Sequence, residues 1–117
     1  MKYLCLVYGE ENKFQEMGDA ECVAYDEGLR SRGLCIASEA LQPVHTATTV
    51  RVRNGRASVT DGPFAETKEQ LGGFYMIDAR DLNEAIQVAS QIPAARVGCV
   101  EVRPVRELAG RDRTHHK

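Results

Sequence analysis

A run of β-formers from Lys2 to Tyr8 opens the hydrophobic pattern and predicts a first strand. Asp19-Ala-Glu-Cys then begins a helical stretch that runs to Arg32, with Asp19 as its expected N-cap and Gly33 as its C-terminal stop. Leu34 to Leu41 reads as a second strand, closed by Gln42-Pro43. Between Thr49 and Thr60, two alternating runs flank Asn54-Gly55, a dipeptide suited to a two-residue hairpin turn because both central residues must take positive φ. That turn sets the register as Arg53 opposite Arg56, Val52 opposite Ala57, Arg51 opposite Ser58 and Val50 opposite Val59, leaving one apolar and one polar face. Directly opposed arginines repel, so the polar face is expected in solvent or against a carboxylate from elsewhere.

Gly73 to Asp78 is the next strand. Leu82, Ala85, Ile86 and Ala89 recur at helical spacing behind Asp81, with Glu84 placed to complete a capping box, and Pro93 ends the helix. Val97 to Val105 supplies the last strand. The residues after it are polar and aperiodic, so residues 1–105 are expected to form the domain and 106–117 a tail in which His115 and His116 are solvated. The order β-α-β, hairpin, β-α-β predicts an α+β fold of the ferredoxin-like βαββαβ type, with both helices on one face of an antiparallel sheet and the hairpin inserted between the halves.

Composition narrows the class. A chain of 117 residues, 43% hydrophobic and 27% charged, suits one domain with a modest core. Its net charge of −2 offers no basic stripe, which excludes nucleic acid as an expected partner. No apolar run nears the roughly 20 residues that span a bilayer, and the opening run meets Glu10-Glu11 too early for a signal peptide. No membrane partner is expected, and the expected location is cytoplasmic. Cys5, Cys22, Cys35 and Cys99 lack Cys/His ligand spacing, so no metal site is expected, and each reads as a small buried hydrophobe in a reducing compartment.

Strand parity carries more. In the last strand Gly98, Val100 and Val102 point one way and Cys99, Glu101 and Arg103 the other; in the second, Glu39 alternates with Ser38 and Ala40. Charge therefore falls on the face that the helices leave open. Cys99, Cys35, Ala37 and Leu41 are assigned the same parity, and such mixing suits a semi-enclosed cavity with a few converging polar groups. Pairing two open faces would bury that cavity in a homodimer.

The densest candidate chemistry is Asp61-Gly-Pro-Phe-Ala-Glu-Thr-Lys-Glu-Gln-Leu-Gly-Gly73, where turn residues carry three carboxylates and an ammonium between strands. Asp61 is either an acceptor for the turn's own backbone or a fixed general base. Glu66 and Lys68 flank Thr67 as acid/base or anion-binding groups, or else as a solvated loop or a salt bridge across a dimer. His45, the one histidine outside the tail, is a proton-transfer candidate or an exposed bystander. Tyr8 and Tyr75 either line a cavity mouth or pack in the core, while Glu39, Glu101 and Arg103 are the open-face groups for a ligand. Gly72-Gly73 stands in no phosphate-binding pattern and is expected to permit close backbone approach, so no cofactor is indicated.

Residues 1–8, Glu39-Ala-Leu-Gln-Pro43, Asp61-Gly-Pro-Phe-Ala-Glu-Thr-Lys-Glu69, Leu71-Gly-Gly73, and Ile92-Pro-Ala-Ala95 leading to Glu101-Val-Arg-Pro-Val105 closely resemble the bacterial YCII-related proteins of the DGPF type. The resemblance covers roughly residues 1–105. It implies a ferredoxin-like fold that dimerises, sheet face against sheet face, as an α/β barrel. It also implies a group of largely uncharacterised activity, often encoded near extracytoplasmic-function sigma factors, and akin to small barrel enzymes acting on aromatic-derived or lactone substrates. Shorter members use a His–Asp pair, the histidine on the first helix and the aspartate before the proline that ends the second. Here the expected first helix has no histidine and Ile92 precedes Pro93, so that pair is absent.

The sequence thus leads to a homodimer that binds a small organic molecule, with cofactor-independent proton transfer of the isomerase or lyase kind by Asp61, Glu66, Lys68 or His45. The rival is a non-catalytic ligand-sensing or protein-interaction module linked to sigma-factor regulation.

Overall fold

A computed structural model of the protein describes residues 1–110. β1 (Lys2–Gly9), β2 (Cys35–Ala40), β5 (Gln70–Asp78) and β6 (Gly98–Pro104) form a four-stranded sheet in the order β2-β5-β1-β6, with every neighbouring pair antiparallel. This is the ferredoxin-like interleaving of two β-α-β units. β3 (Thr48–Arg53) and β4 (Arg56–Asp61) form a separate two-stranded sheet between the halves. The hairpin register is the expected one, from Arg53 opposite Arg56 to Val50 opposite Val59, with Asn54 at φ 52° and Gly55 at φ 75° in the turn.

α2 (Ala20–Ser31) and α3 (Leu82–Ser90) cover one face of the large sheet. Tyr3, Cys5 and Val7 of β1 and Tyr75 and Ile77 of β5 meet Leu29 of α2 and Ala85, Val88 and Ala89 of α3 in the core. The Tyr25 hydroxyl of α2 donates to the Val88 carbonyl of α3 at 2.7 Å, and its ring stands edge-on to Tyr75 with centroids 6.2 Å apart. α2 ends as the sequence predicts: Gly33 takes φ 74°, its N–H reaches Arg30 O at 3.0 Å, and the Leu34 N–H reaches Leu29 O at 3.0 Å. At α3 the Glu84 N–H donates to Asp81 Oδ1 at 2.9 Å, while the Glu84 carboxylate reaches back to the Arg80 N–H rather than to that of Asp81.

Several expectations need correction. Asp19 precedes α2 but its side chain caps nothing, because it adopts helical φ/ψ (−102°, −22°) instead of the extended geometry a capping side chain requires. An unexpected short helix, α1 (Glu11–Met17), follows β1. Its Phe14 ring fills the space above two glycines, where a Cβ on Gly9 or Gly72 would lie 2.7 Å or 2.5 Å from the ring. A Cβ on Gly73 would lie 2.8 Å from the Glu39 carbonyl, so the glycine pair serves close approach to a ring and to a backbone. β5 begins at Gln70 rather than Gly73, since residues 70 and 71 already pair with β1. A register irregularity between Cys35 and Ala37 turns Cys35 to the helix side, opposite Ile77, against the parity expected of it.

Cys5 is buried, but Cys22 and Cys35 are half-buried and Cys99 is exposed, so only the first is the buried hydrophobe expected of all. No helix among the described residues is long and apolar enough to cross a membrane. Residues 106–110 are exposed and carry no regular structure; His115 and His116 lie outside the described residues.

Candidate functional site

The open face of the sheet is organised in rows. Across it run Glu39, Phe74, Leu6 and Glu101, and beside them Ala37, Met76, Leu4 and Arg103. Leu4, Leu6, Phe74 and Met76 form a half-buried apolar centre on the two inner strands, while the charges sit on edge strands β2 and β6. Glu39 and Glu101 are thus separated by three strand spacings, about 14 Å, and stand on opposite rims rather than converging on one ligand atom.

The next row, Tyr8 opposite Cys99, leads into a groove of about 520 Å³ whose wall also includes Glu10, Thr67, Lys68 and Glu69. A second groove, of about 490 Å³, lies on the other side of that wall, between the start of α1, the 3₁₀ turn Val44–Thr46 and the loop after β4. It is lined by His45, Glu66 and Lys68 together with Glu10, Glu11, Pro63 and Gln70 among others. Three of the four predicted acid/base candidates, His45 from one turn and Glu66 and Lys68 from a loop some twenty residues later, therefore share one concavity.

Local chemistry explains their positions. The Val44 N–H donates to the Glu11 carboxylate, which ties the turn bearing His45 to α1. Within that turn the Thr46 N–H and hydroxyl both donate to Pro43 O, at 2.9 Å and 2.7 Å. Gly62, at φ 102°, supplies the turn after β4; its N–H donates to Ala47 O at 2.7 Å and its carbonyl accepts from the Thr49 hydroxyl at 2.8 Å. Further on, the Gln70 side chain donates to Thr67 O at 2.8 Å and closes the loop that presents Lys68. Lys68 Nζ stands 3.9 Å from Glu10 Oε2, a loose pair between an 82% and a 33% exposed side chain, and that pair forms the shared wall.

The remaining predicted site residues are dispersed. Asp61 is exposed at the base of the hairpin's valine face and lines neither groove; its carboxylate makes no hydrogen bond with a described residue, and the turn is held by Gly62 and Thr49 instead. Tyr75 is buried under the helices, 9% exposed, and burial pushes its hydroxyl up to about 12. Tyr8 does line a groove, and Glu39, Glu101 and Arg103 do occupy the open face. No cluster of potential metal ligands occurs among the described residues.

Glu10 and Glu11 were not among the expected site residues. Their signal was the Glu-Glu pair ahead of Phe14 and Met17 at helical spacing, with Gly18 as a stop. A second unanticipated cluster ties α2 to β2: Asp26 Oδ1 accepts from Ser38 Oγ and Cys35 Sγ, and Asp26 Oδ2 from Arg30 Nε at 2.9 Å. The Ser38 bond foremost holds the Asp26 carboxyl below its ordinary value. Burial foremost pushes the Cys35 thiol up, which disfavours the nucleophilic thiolate.

A family model described as YCII-related domain matches residues 1–109. An uncharacterized protein of Rhizobium meliloti (strain 1021) is 49% identical over 67 residues, 56% of this chain and 54% of that protein. The chain thus spans about half the length of the curated relative it matches.

Proposed function

For a chain that belongs to the YCII-related family, we propose that the function is to bind a small organic molecule in the groove between α1, the 44–46 turn and the 62–70 loop, within a homodimer closed over the open sheet face. The observation that carries this reading is the meeting of His45, Glu66 and Lys68 in one concavity of about 490 Å³, a volume within the usual range of small-molecule sites. An imidazole, a carboxylate and an ammonium within one concavity offer a proton acceptor, a proton donor and a charge partner without a cofactor. Proton transfer of the isomerase or lyase kind is the catalytic form of this function. It requires water to be excluded, which the single chain does not do because His45, Glu66 and Lys68 are exposed, so this form of the function includes closure of the groove by the second copy.

Non-catalytic ligand sensing is the second reading, favoured by the exposure of His45, Glu66 and Lys68 in the single chain. Thermal shift across a panel of small carboxylic acids, lactones and amines, with turnover followed by mass spectrometry, separates the two. A compound that raises the melting temperature of the wild type but not of Glu66→Gln or His45→Asn establishes the groove as the site. Turnover lost in those variants establishes catalysis, and binding without turnover establishes sensing. Stabilisation that is equal in wild type and both variants contradicts the assignment of the groove.

A further inference from the structure

The β3–β4 hairpin is a folded ribbon with two dissimilar faces, neither of them buried. Thr48, Val50, Val52, Ala57, Val59 and Asp61 share one face by register, and Val50, Val52 and Val59 are 60%, 60% and 68% exposed. The other face carries Arg51, Arg53 and Arg56, all exposed and in no salt bridge with a described residue. No hairpin residue belongs to the buried core. An isolated two-stranded ribbon is marginally stable in water, so register this well defined with valines laid along one side is suited to a surface that covers it.

We infer that the hairpin is an arm whose valine face packs against a second copy of this chain, extending the sheet-face dimer. The inference rests on the homodimer proposed above and adds the part of the surface that completes it. The occupant is identified by complementarity within the chain itself. The open sheet face carries its charges, Glu39 and Glu101, on the edge strands that border the apolar centre, and the hairpin offers valines along one side with Arg53 and Arg56 at its tip, so it complements the border of the face while the centres meet each other. Two-fold symmetry applies each such match twice, because what one protomer gives its partner it also receives.

Size gives the same answer. A face of six residues per strand is about 20 Å long and about 10 Å wide, or roughly 200 Å². A stable dimer buries about 800 Å² on each partner. Each protomer gives one such face and receives another, roughly 400 Å² in all, which is about half of that area; the hairpins alone are too small to hold a dimer, so they supplement the sheet face.

Sedimentation velocity over a dilution series tests this with three proteins: the wild type, the triple variant V50S/V52S/V59S, and Leu6→Glu in the centre of the open face. Circular dichroism and chemical denaturation of each protein at high dilution verify that the protomer still folds; the substituted valines are exposed and outside the core, so its stability is expected to hold. The expected result is a wild-type dimer, a hairpin variant whose dissociation constant rises tenfold or more with the protomer intact, and a monomeric Leu6→Glu. A hairpin variant that dimerises as tightly as the wild type overturns the arm and leaves the sheet-face dimer standing. A wild type that remains monomeric at tens of micromolar, an order-of-magnitude concentration for a weak assembly, overturns both.

Discussion

Along β1, Tyr3, Cys5 and Val7 are 4%, 0% and 5% exposed beneath the helices, whereas Leu4, Leu6 and Tyr8, each the next residue on, are only half-buried. One strand thus carries two surfaces of similar apolar content and different fates. The helix side is finished within the protomer by Leu29, Val88 and Ala89. The other side is apolar at its centre and charged at its rims, which is the anatomy of an interface core with a polar border. The comparison teaches that hydrophobic residues on the open face are less buried within the single chain than those beneath the helices, and so are expected to contribute less to its stability.

The largest contrast is in packing. Leu29→Ala, at a site with 0% exposure, is expected to cost about 3 kcal/mol of protomer stability through lost transfer energy and a residual cavity. Leu6→Ala in dilute solution is expected to cost about 1 kcal/mol or less, because it is only half-buried in the protomer. Urea denaturation at low protein concentration measures both; equal losses would erase the distinction between the faces.

Next comes alkaline pH, through two groups on the helix side. Burial raises the Cys5 thiol from 9.0 to about 11 and the Tyr75 hydroxyl from 10.0 to about 12. Both groups are neutral when folded, so their contribution is full below the ordinary values and is lost as pH rises through the folded ones. At about 1.4 kcal/mol per tenfold in proton affinity, Tyr75 accounts for up to about 3 kcal/mol of that loss. Denaturation midpoints are therefore expected to fall between about pH 9 and about pH 12, and Tyr75→Phe to flatten the upper part of the decline. A decline of the same shape in Tyr75→Phe would place the titrating group elsewhere.

Ser38→Ala should remove a bond to Asp26 at the sheet edge and cost about 1 kcal/mol. The Asp26 carboxyl is held below 3.8 in the fold, so its contribution is present above that value and is lost as pH falls through the lower folded one. Ser38→Ala should accordingly weaken the acid-side dependence of stability, which a pH series of urea midpoints reads directly.

The smallest stability effect belongs to the groove. Glu66→Gln should change stability by no more than about 0.5 kcal/mol, as for exposed sites generally, while abolishing ligand-induced stabilisation. A large stability loss would make Glu66 a structural residue.

Much of this architecture was legible from local chemistry. Asn54-Gly55 determines its own register, Gly33 its own helix stop, and Asp81 with Leu82, Ala85 and Ala89 a capped amphipathic helix, because each signal is complete within a few residues. α1 is not legible in the sequence because its seven residues bury nothing fully and depend on Phe14 lying over Gly9 and Gly72, a contact that spans the chain. The face of Cys35 is hidden for a related reason: an irregularity in pairing reverses parity and leaves no mark in composition. Among site residues, Glu66 and Lys68 follow from the loop that carries them, and their meeting with His45 depends on Glu11 anchoring the 44–46 turn. Asp61 and Tyr75 have suitable chemistry but lie outside the grooves, since side-chain type does not report which face of a ribbon or sheet it occupies.

The most direct test of the central claim is solvent paramagnetic relaxation of side-chain methyls at concentrations where the protein is assembled. With a soluble gadolinium probe, the methyls of Leu4, Leu6 and Met76 are predicted to be shielded as well as those of Val7, which lies beneath the helices. Broadening of the Leu4, Leu6 and Met76 methyls to the level of an exposed residue such as Leu82, with Val7 unaffected, would show the sheet face open to water and contradict the account.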